Sequence, residues 1–293
     1  MRRFASLLLA AVLILLTGCG TPRSARLVIG SKFFTEQVVL AELLAQHIEA
    51  RTGLRVERKS NLGSTQICHQ ALRSGDLDLY VEYTGTALTA VLGEKPSGDS
   101  SAVYQRVKKG YRERFGLEVT EPLGFENTFA MVIRGEDARQ KSLRTTSNIV
   151  PVAPRWRAGV GYEFLERPDG YRGWAERYGI HFVEAPRVMD LGLLYRALKE
   201  KQVDIVAGNS TDGLIAALDL VVLEDDRRYF PPYDAVPIVR RDALARFPQL
   251  RAALAELAGK ITAADMRRLN YAVDGEHRDV AVVVREFRQK KGL

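Results

Sequence analysis

Cysteine is scarce in this chain, and so is histidine: two and four among 293 residues. The histidines (His47, His69, His181, His277) are scattered, and none stands with a cysteine at the spacing of a zinc site. There is no Gly-x-Ser-x-Gly elbow, no glycine-rich loop ending in Lys-Ser/Thr and no His-Glu-x-x-His. Ser210 in "GNSTDG" has glycines on either side, but no histidine lies at a suggestive place beside it. These absences weigh against an enzyme, and no cofactor is expected. Blocks of like charge are missing too. The 43 Lys and Arg are interleaved with 36 Asp and Glu, for a net charge of +7, which reads as a solvated surface and not a nucleic-acid stripe.

What is present begins with Arg2 and Arg3, followed by "FASLLLAAVLILL", an apolar run too short to span a bilayer comfortably. This is the charged and apolar pattern of a secretory signal. Leu16-Thr17-Gly18-Cys19 resembles the lipobox of bacterial lipoproteins. That resemblance implies a lipoprotein signal peptide over residues 1–18, with Cys19 lipidated and left as the new N-terminus. An ordinary signal peptide or an uncleaved anchor are the alternatives. Losing Arg2 and Arg3 lowers the charge from +7 to +5 and leaves Cys68 as the one remaining thiol, so no disulfide forms within a monomer. Cys68 sits at an apolar position of an expected helix, where a buried structural thiol is the plain reading. The mature length exceeds one usual core, so two domains are expected.

After a linker at 19–26, strands and helices alternate. "LVIG" (27–30) reads as a strand, and 35–51 as a helix with Thr35 at its N-cap. "LRVER" follows as a strand, then a helix from Ser64 to Gly75. The second half alternates again: a helix at 171–179, a strand "HFVEA" (181–185), a helix at 191–202 and a strand "VDIVA" (203–207). Helical patterns at 241–257, 263–271 and 278–289 end the chain and are expected to pack back on the first lobe. Such alternation predicts parallel sheets covered on both faces. "ALRSGDLD" (71–78) and "ALKEKQVD" (197–204) look like one unit repeated, each followed by a strand and a Ser/Thr/Gly turn. The match places Tyr83 and Asn209 at equivalent strand ends, where ligands sit in open parallel sheets.

"GSKFFTEQ" (30–37), "ALRSGDLDLYVEYTGT" (71–86), "PLGFENTFAMVIR" (122–134), "ERPDGYRG" (166–173), "STDG" (210–213) and "LEDDRRYFPPYDAVPIVR" (223–240) carry a broader likeness. The chain resembles the substrate-binding proteins of osmoprotectant ABC importers, which bind glycine betaine, carnitine, choline and related compounds. The resemblance implies an α/β, two-lobe type II periplasmic-binding-protein fold with two crossover hinge strands. Lobe I would comprise 27–125 plus 236–293, and lobe II 126–235. It also implies a non-catalytic, lipid-anchored, monomeric receptor, partnered by a permease and its ATPase subunits.

A quaternary ammonium has no N–H to donate, so aromatic faces hold it, at ~0.5–2 kcal/mol per contact. A carboxylate tail instead suits Arg, which can grip it bidentately. By the resemblance, Tyr83 and Tyr233 are cage tyrosines, Thr86 a nearby polar contact, Lys32 a lysine near the ligand, and Arg167 the partner of a ligand carboxylate. Asn127 and Phe129 fall where the family has a polar residue and a second aromatic. Two departures stand out: Phe129 lacks a hydroxyl, and Asn209 stands where a cage aromatic is expected. Both put the ligand's identity in doubt, so another zwitterion, such as an amino acid or an ergothioneine-like betaine, is the competing reading.

Each residue also has a plainer reading. Tyr83 shares strand parity with Leu79 and Val81 and could be a core tyrosine; Glu82, of opposite parity, reads as a surface or hinge-side charge. Lys32 could be solvated ahead of a helix. Arg167 precedes a Pro-Asp-Gly turn and could serve a loop salt bridge. Phe129 could pack a strand and Tyr233 a hinge, while Tyr171 and Tyr195 read as helix-face packing.

Overall fold

The computed structural model describes residues 26–95 and 98–293. The signal-peptide and Cys19 expectations therefore lie outside the described residues. Ten strands form two five-stranded sheets. The first sheet takes β1 (Arg26–Gly30), β2 (Arg55–Lys59), β3 (Leu79–Tyr83), β4 (Leu117–Val119) and, from far along the chain, β10 (Ala235–Arg240). The second takes β5 (Phe129–Arg134), β6 (Ala158–Val160), β7 (Arg187–Val188), β8 (Ile205–Asn209) and β9 (Leu220–Val222).

The strand orders are β2-β1-β3-β10-β4 and β7-β6-β8-β5-β9. They are the same plan twice. β3 and β8 are both central, each parallel to one neighbour (β1, β6) and antiparallel to the other (β10, β5). The repeat read from "ALRSGDLD" and "ALKEKQVD" is therefore present in the topology. The expectation of wholly parallel sheets is corrected, because each sheet takes in one antiparallel strand where the chain crosses from the other sheet. The two crossing segments pair with each other: Asn127 N donates to Tyr233 O at 3.1 Å and Leu123 N to Ala235 O at 2.9 Å, with a bridge at Glu126 and Asp234.

Both sheets are covered on both faces. Leu79, Val81 and Tyr83 face one apolar cluster and Tyr80 faces another. Ile205 and Ala207 face a third, with Val206 turned to a fourth. The C-terminal helices Leu250–Glu256, Ala263–Asp274 and Val280–Lys291 pack on the helix Thr35–Thr52, placing Met266, Val284 and Phe287 in the same cluster as Leu27 and Ile29. Cys68 is fully buried.

Several local expectations shift. Phe34, not Thr35, is the N-cap of the first helix, and the Thr35 hydroxyl donates to Asp274 at 2.6 Å instead. "HFVEA" is irregular and the edge strand comes later, at Arg187–Val188, where it pairs with Gly159 and Val160. Glu82 is not a surface charge. Every residue of β3 is buried, and Glu82 is 0% exposed, because a central strand covered on both faces has no wet side.

Candidate ligand-binding site

β3 ends at Tyr83 and runs straight into the short helical turn Thr84–Thr86; β8 ends at Asn209. Both ends open on a cavity of about 420 Å³ between the two sheets, within the range of small-molecule sites. Lys32, Tyr83, Thr86 and Asn127 line it, as do Phe129, Arg167, Asn209 and Tyr233. All eight candidate residues thus meet in one place, although they come from six separate segments.

The two cations of the wall are already paired. Lys32 is 2% exposed; its Nζ lies 2.5 Å from Glu82 Oε1 and 3.3 Å from Thr65 Oγ1. This excludes the solvated reading of Lys32. Arg167 donates through Nε and Nη2 to Asp169 (2.9 and 2.5 Å) and through Nη1 to Thr86 Oγ1 across the cavity (2.9 Å). The loop salt bridge is therefore real, and it does not exclude contact with a ligand, since two of the five guanidinium N–H groups have no protein acceptor. Burial alone would lower the Arg167 pKa, but the Asp169 carboxylate raises it above its ordinary value. Tyr233 donates to the same carboxylate at 2.5 Å, and burial, then Asp169, pushes its phenol well up.

The rings lie against those cations. Lys32 Nζ is 4.8 Å from the centroid of the Tyr83 ring and 5.7 Å from that of Phe34. The Arg167 guanidinium is 4.8 Å from the Phe129 centroid and 5.8 Å from that of Tyr233. Phe129 meets Tyr233 edge-on at 6.0 Å and packs on Phe164 at 4.8 Å. Gly85 permits the approach of Tyr233, because a Cβ there would stand 2.7 Å from its ring. The core readings of Tyr83 and Phe129 hold, since both rings pack in or against apolar clusters, and the same rings line the cavity.

Sequence reasoning missed several walls. Phe34 stacks with Tyr83 (6.4 Å, 21° between planes), and Phe33, Tyr162 and Phe164 add rings. Phe33 and Phe34 lie inside the quoted "GSKFFTEQ", so a double aromatic directly before a helix was the available signal. Glu163 and Asp190 also line the cavity, and Lys32 and Arg167 are its only cationic side chains among the described residues. With both cations neutralised by Glu82 and Asp169, the wall presents surplus negative charge.

Behind Tyr83 lies Glu36, 2% exposed and in no salt bridge among the described residues. Its Oε1 accepts from Tyr83 OH (2.6 Å) and Asn127 Nδ2 (2.8 Å), and its Oε2 from Asn270 Nδ2 (3.0 Å). Burial pushes its carboxyl above the usual carboxylate range, partly offset by the Thr211 side chain and then by those hydrogen bonds. Asn209 forms the opposite wall, its backbone N donating to Asp212 Oδ2 at 2.9 Å. No group of three or more His, Cys, Asp or Glu among the described residues is placed to hold a metal ion.

Residues 25–290 match the family model described as the substrate-binding domain of the ABC-type glycine betaine transport system. A carnitine transport binding protein of Listeria monocytogenes is 38% identical, over 98% of this chain and 95% of its own. An ergothioneine transport permease and binding protein of Helicobacter pylori is 32% identical over 99% of this chain, which covers 52% of that longer protein. Among solved structures, a glycine betaine/carnitine/choline ABC transporter protein aligns with a TM-score of 0.78 at 36% identity, over 90% of this chain and 98% of that one. The chain belongs to the substrate-binding proteins of ABC-type glycine betaine transport systems.

Proposed function

We propose that this protein is the lipid-anchored extracytoplasmic receptor of an ABC importer, and that it binds a quaternary-ammonium osmoprotectant, such as glycine betaine or choline, between its lobes. Lobe I is 27–125 with 236–293 and lobe II is 126–235, and ligand binding selects the arrangement that brings them together. The observation that carries the reading is the cavity wall itself. The rings of Phe34, Tyr83, Phe129 and Tyr233 surround about 420 Å³ while both wall cations are matched by buried carboxylates. Such a wall favours a cation that cannot donate hydrogen bonds. Lys32, Thr86, Asn127 and the two unassigned Arg167 donor hydrogens are the polar contacts for the rest of the ligand. Residues 1–18 are the signal peptide and Cys19 carries the lipid; the monomer delivers its ligand to a permease and its ATPase subunits.

A betaine on a histidine ring is the second reading, favoured by Asn209, which offers an amide where a cage ring is expected. Calorimetric titration of the mature protein with glycine betaine, choline, carnitine, ergothioneine and free amino acids separates them. Binding of an aliphatic quaternary ammonium supports the first reading. Selective binding of ergothioneine or an amino acid overturns it. Membrane release of a Cys19→Ala variant checks the anchor, and wild-type protein free in the soluble extracytoplasmic fraction would refute it.

A further inference from the structure

A buried carboxylate with no cation beside it is costly, and among the described residues Glu36 is one. The side chains that donate to it do not belong to one element. Tyr83 belongs to the end of β3, Asn127 to the first crossing segment and Asn270 to the tail helix Ala263–Asp274. Asn270 then continues the chain of contacts. The same Nδ2 that donates to Glu36 Oε2 also donates to the backbone carbonyl of Thr211 at 3.0 Å. Thr211 lies in the loop that leaves β8 two residues after Asn209, the wall opposite Tyr83.

That loop is docked closely on the tail helix. A Cβ at Gly213 would stand 2.4 Å from Tyr271 N and 2.5 Å from Tyr271 Cα, both backbone atoms that cannot swing away. Arg267 Nη1 adds a long contact to Ser210 O at 3.4 Å. So the second sheet's ligand-facing loop rests on a helix that packs with the first sheet, and Asn270 fastens the two. Glu36 itself does not line the ligand cavity.

We infer that Glu36 is a positioning residue of the binding site, which fixes the Tyr83 ring through one carboxylate oxygen and, through the other, clasps the Asn209–Gly213 loop to the tail helix by way of Asn270. The two facing walls of the cavity are thereby joined through protein atoms behind the ligand. Binding energy is then spent on the ligand and not on ordering Tyr83 and Asn209 separately. This rests on the reading of the cavity given above only in so far as ligand affinity is used as a readout.

The test uses Tyr83→Phe, Asn270→Ala and Glu36→Gln in the full mature chain, singly and in pairs. Small-angle scattering without ligand reads lobe separation, and titration with choline and with glycine betaine reads affinity. Asn270→Ala is expected to enlarge the radius of gyration of the ligand-free protein and to weaken binding about tenfold. Glu36→Gln and Tyr83→Phe are expected to weaken binding non-additively, because they break the same bond. Unchanged dimensions for Asn270→Ala, or affinities that follow thermal stability alone with additive losses, would overturn the inference. Should the wild type bind neither compound, the functional reading fails, while the scattering comparison still decides the clasp.

Discussion

The Arg167 guanidinium lies 4.8 Å from the centre of the Phe129 ring, while two of its nitrogens hold Asp169. One residue therefore occupies a face of a candidate cage ring and retains donors for a ligand carboxylate. Arg167→Lys keeps the charge but loses the fork. It should weaken glycine betaine about tenfold or more and choline much less, as read by calorimetry. Equal losses for the two compounds would remove the carboxylate role.

Lys32 and Glu82 form a pair 2% and 0% exposed. Removing one partner leaves the other charge buried, at a cost of about 3–5 kcal/mol. Lys32→Met should therefore lower stability in urea melts by that order, and Lys32→Met with Glu82→Gln should recover most of it. A single variant as stable as the wild type would mean that the buried pair contributes no net stability.

Asn209→Tyr should tighten trimethylammonium binding by roughly twofold to thirtyfold, the value of one added ring at ~0.5–2 kcal/mol. Titration with choline checks it. Weaker binding would assign Asn209 a direct contact with a different native ligand.

Tyr83→Ala should lower both the ligand-free melting temperature and the ligand-induced shift, since the ring packs in the core and lines the cavity. Full ligand-induced stabilisation, about 2.7 kcal/mol at one hundred times Kd, surviving in that variant would exclude Tyr83 from the cage.

Burial lifts the Asp212 carboxyl from 3.8 to about 6, against the hydrogen bonds it accepts from Tyr195 OH and Asn209 N. A carboxyl raised in the folded state binds its proton more tightly there than when unfolded. Its stabilising contribution is complete below pH 3.8 and is lost as the pH rises through about 6. Asp212→Asn should flatten that decline in denaturant melts taken between pH 4 and pH 7. Glu36, also raised, declines in the same direction and remains in the variant. An unchanged pH profile would show that Asp212 titrates normally.

Much of the site was legible because its residues sit at punctuated places. Tyr83 and Asn209 close apolar strands, each five residues after a matching aspartate, and Arg167 precedes a turn. Glu82 was misread because period-two alternation assumes one wet face, and a central strand between two layers has none. The edge strand at Arg187–Val188 could not be found from propensity, since "HFVEA" has the better composition. The pairing with Gly159 and Val160 decides it. Phe34 was missed as a wall because its partner, Tyr83, lies 49 positions away and only the folded chain sets the rings 6.4 Å apart.

Phe129 opens β5 and Tyr233 stands two residues before β10, so both rings sit where the chain crosses between sheets. Points at a pivot travel least when two bodies swing about it. If the proposed lobes close about these crossings, this flank of the cavity keeps its form and offers an incoming solute a ready-made seat before anything moves. Arg167 would complete the enclosure afterwards. Alterations at the seat should therefore register in the first encounter and its rate, and alterations at the far wall in how long the solute stays.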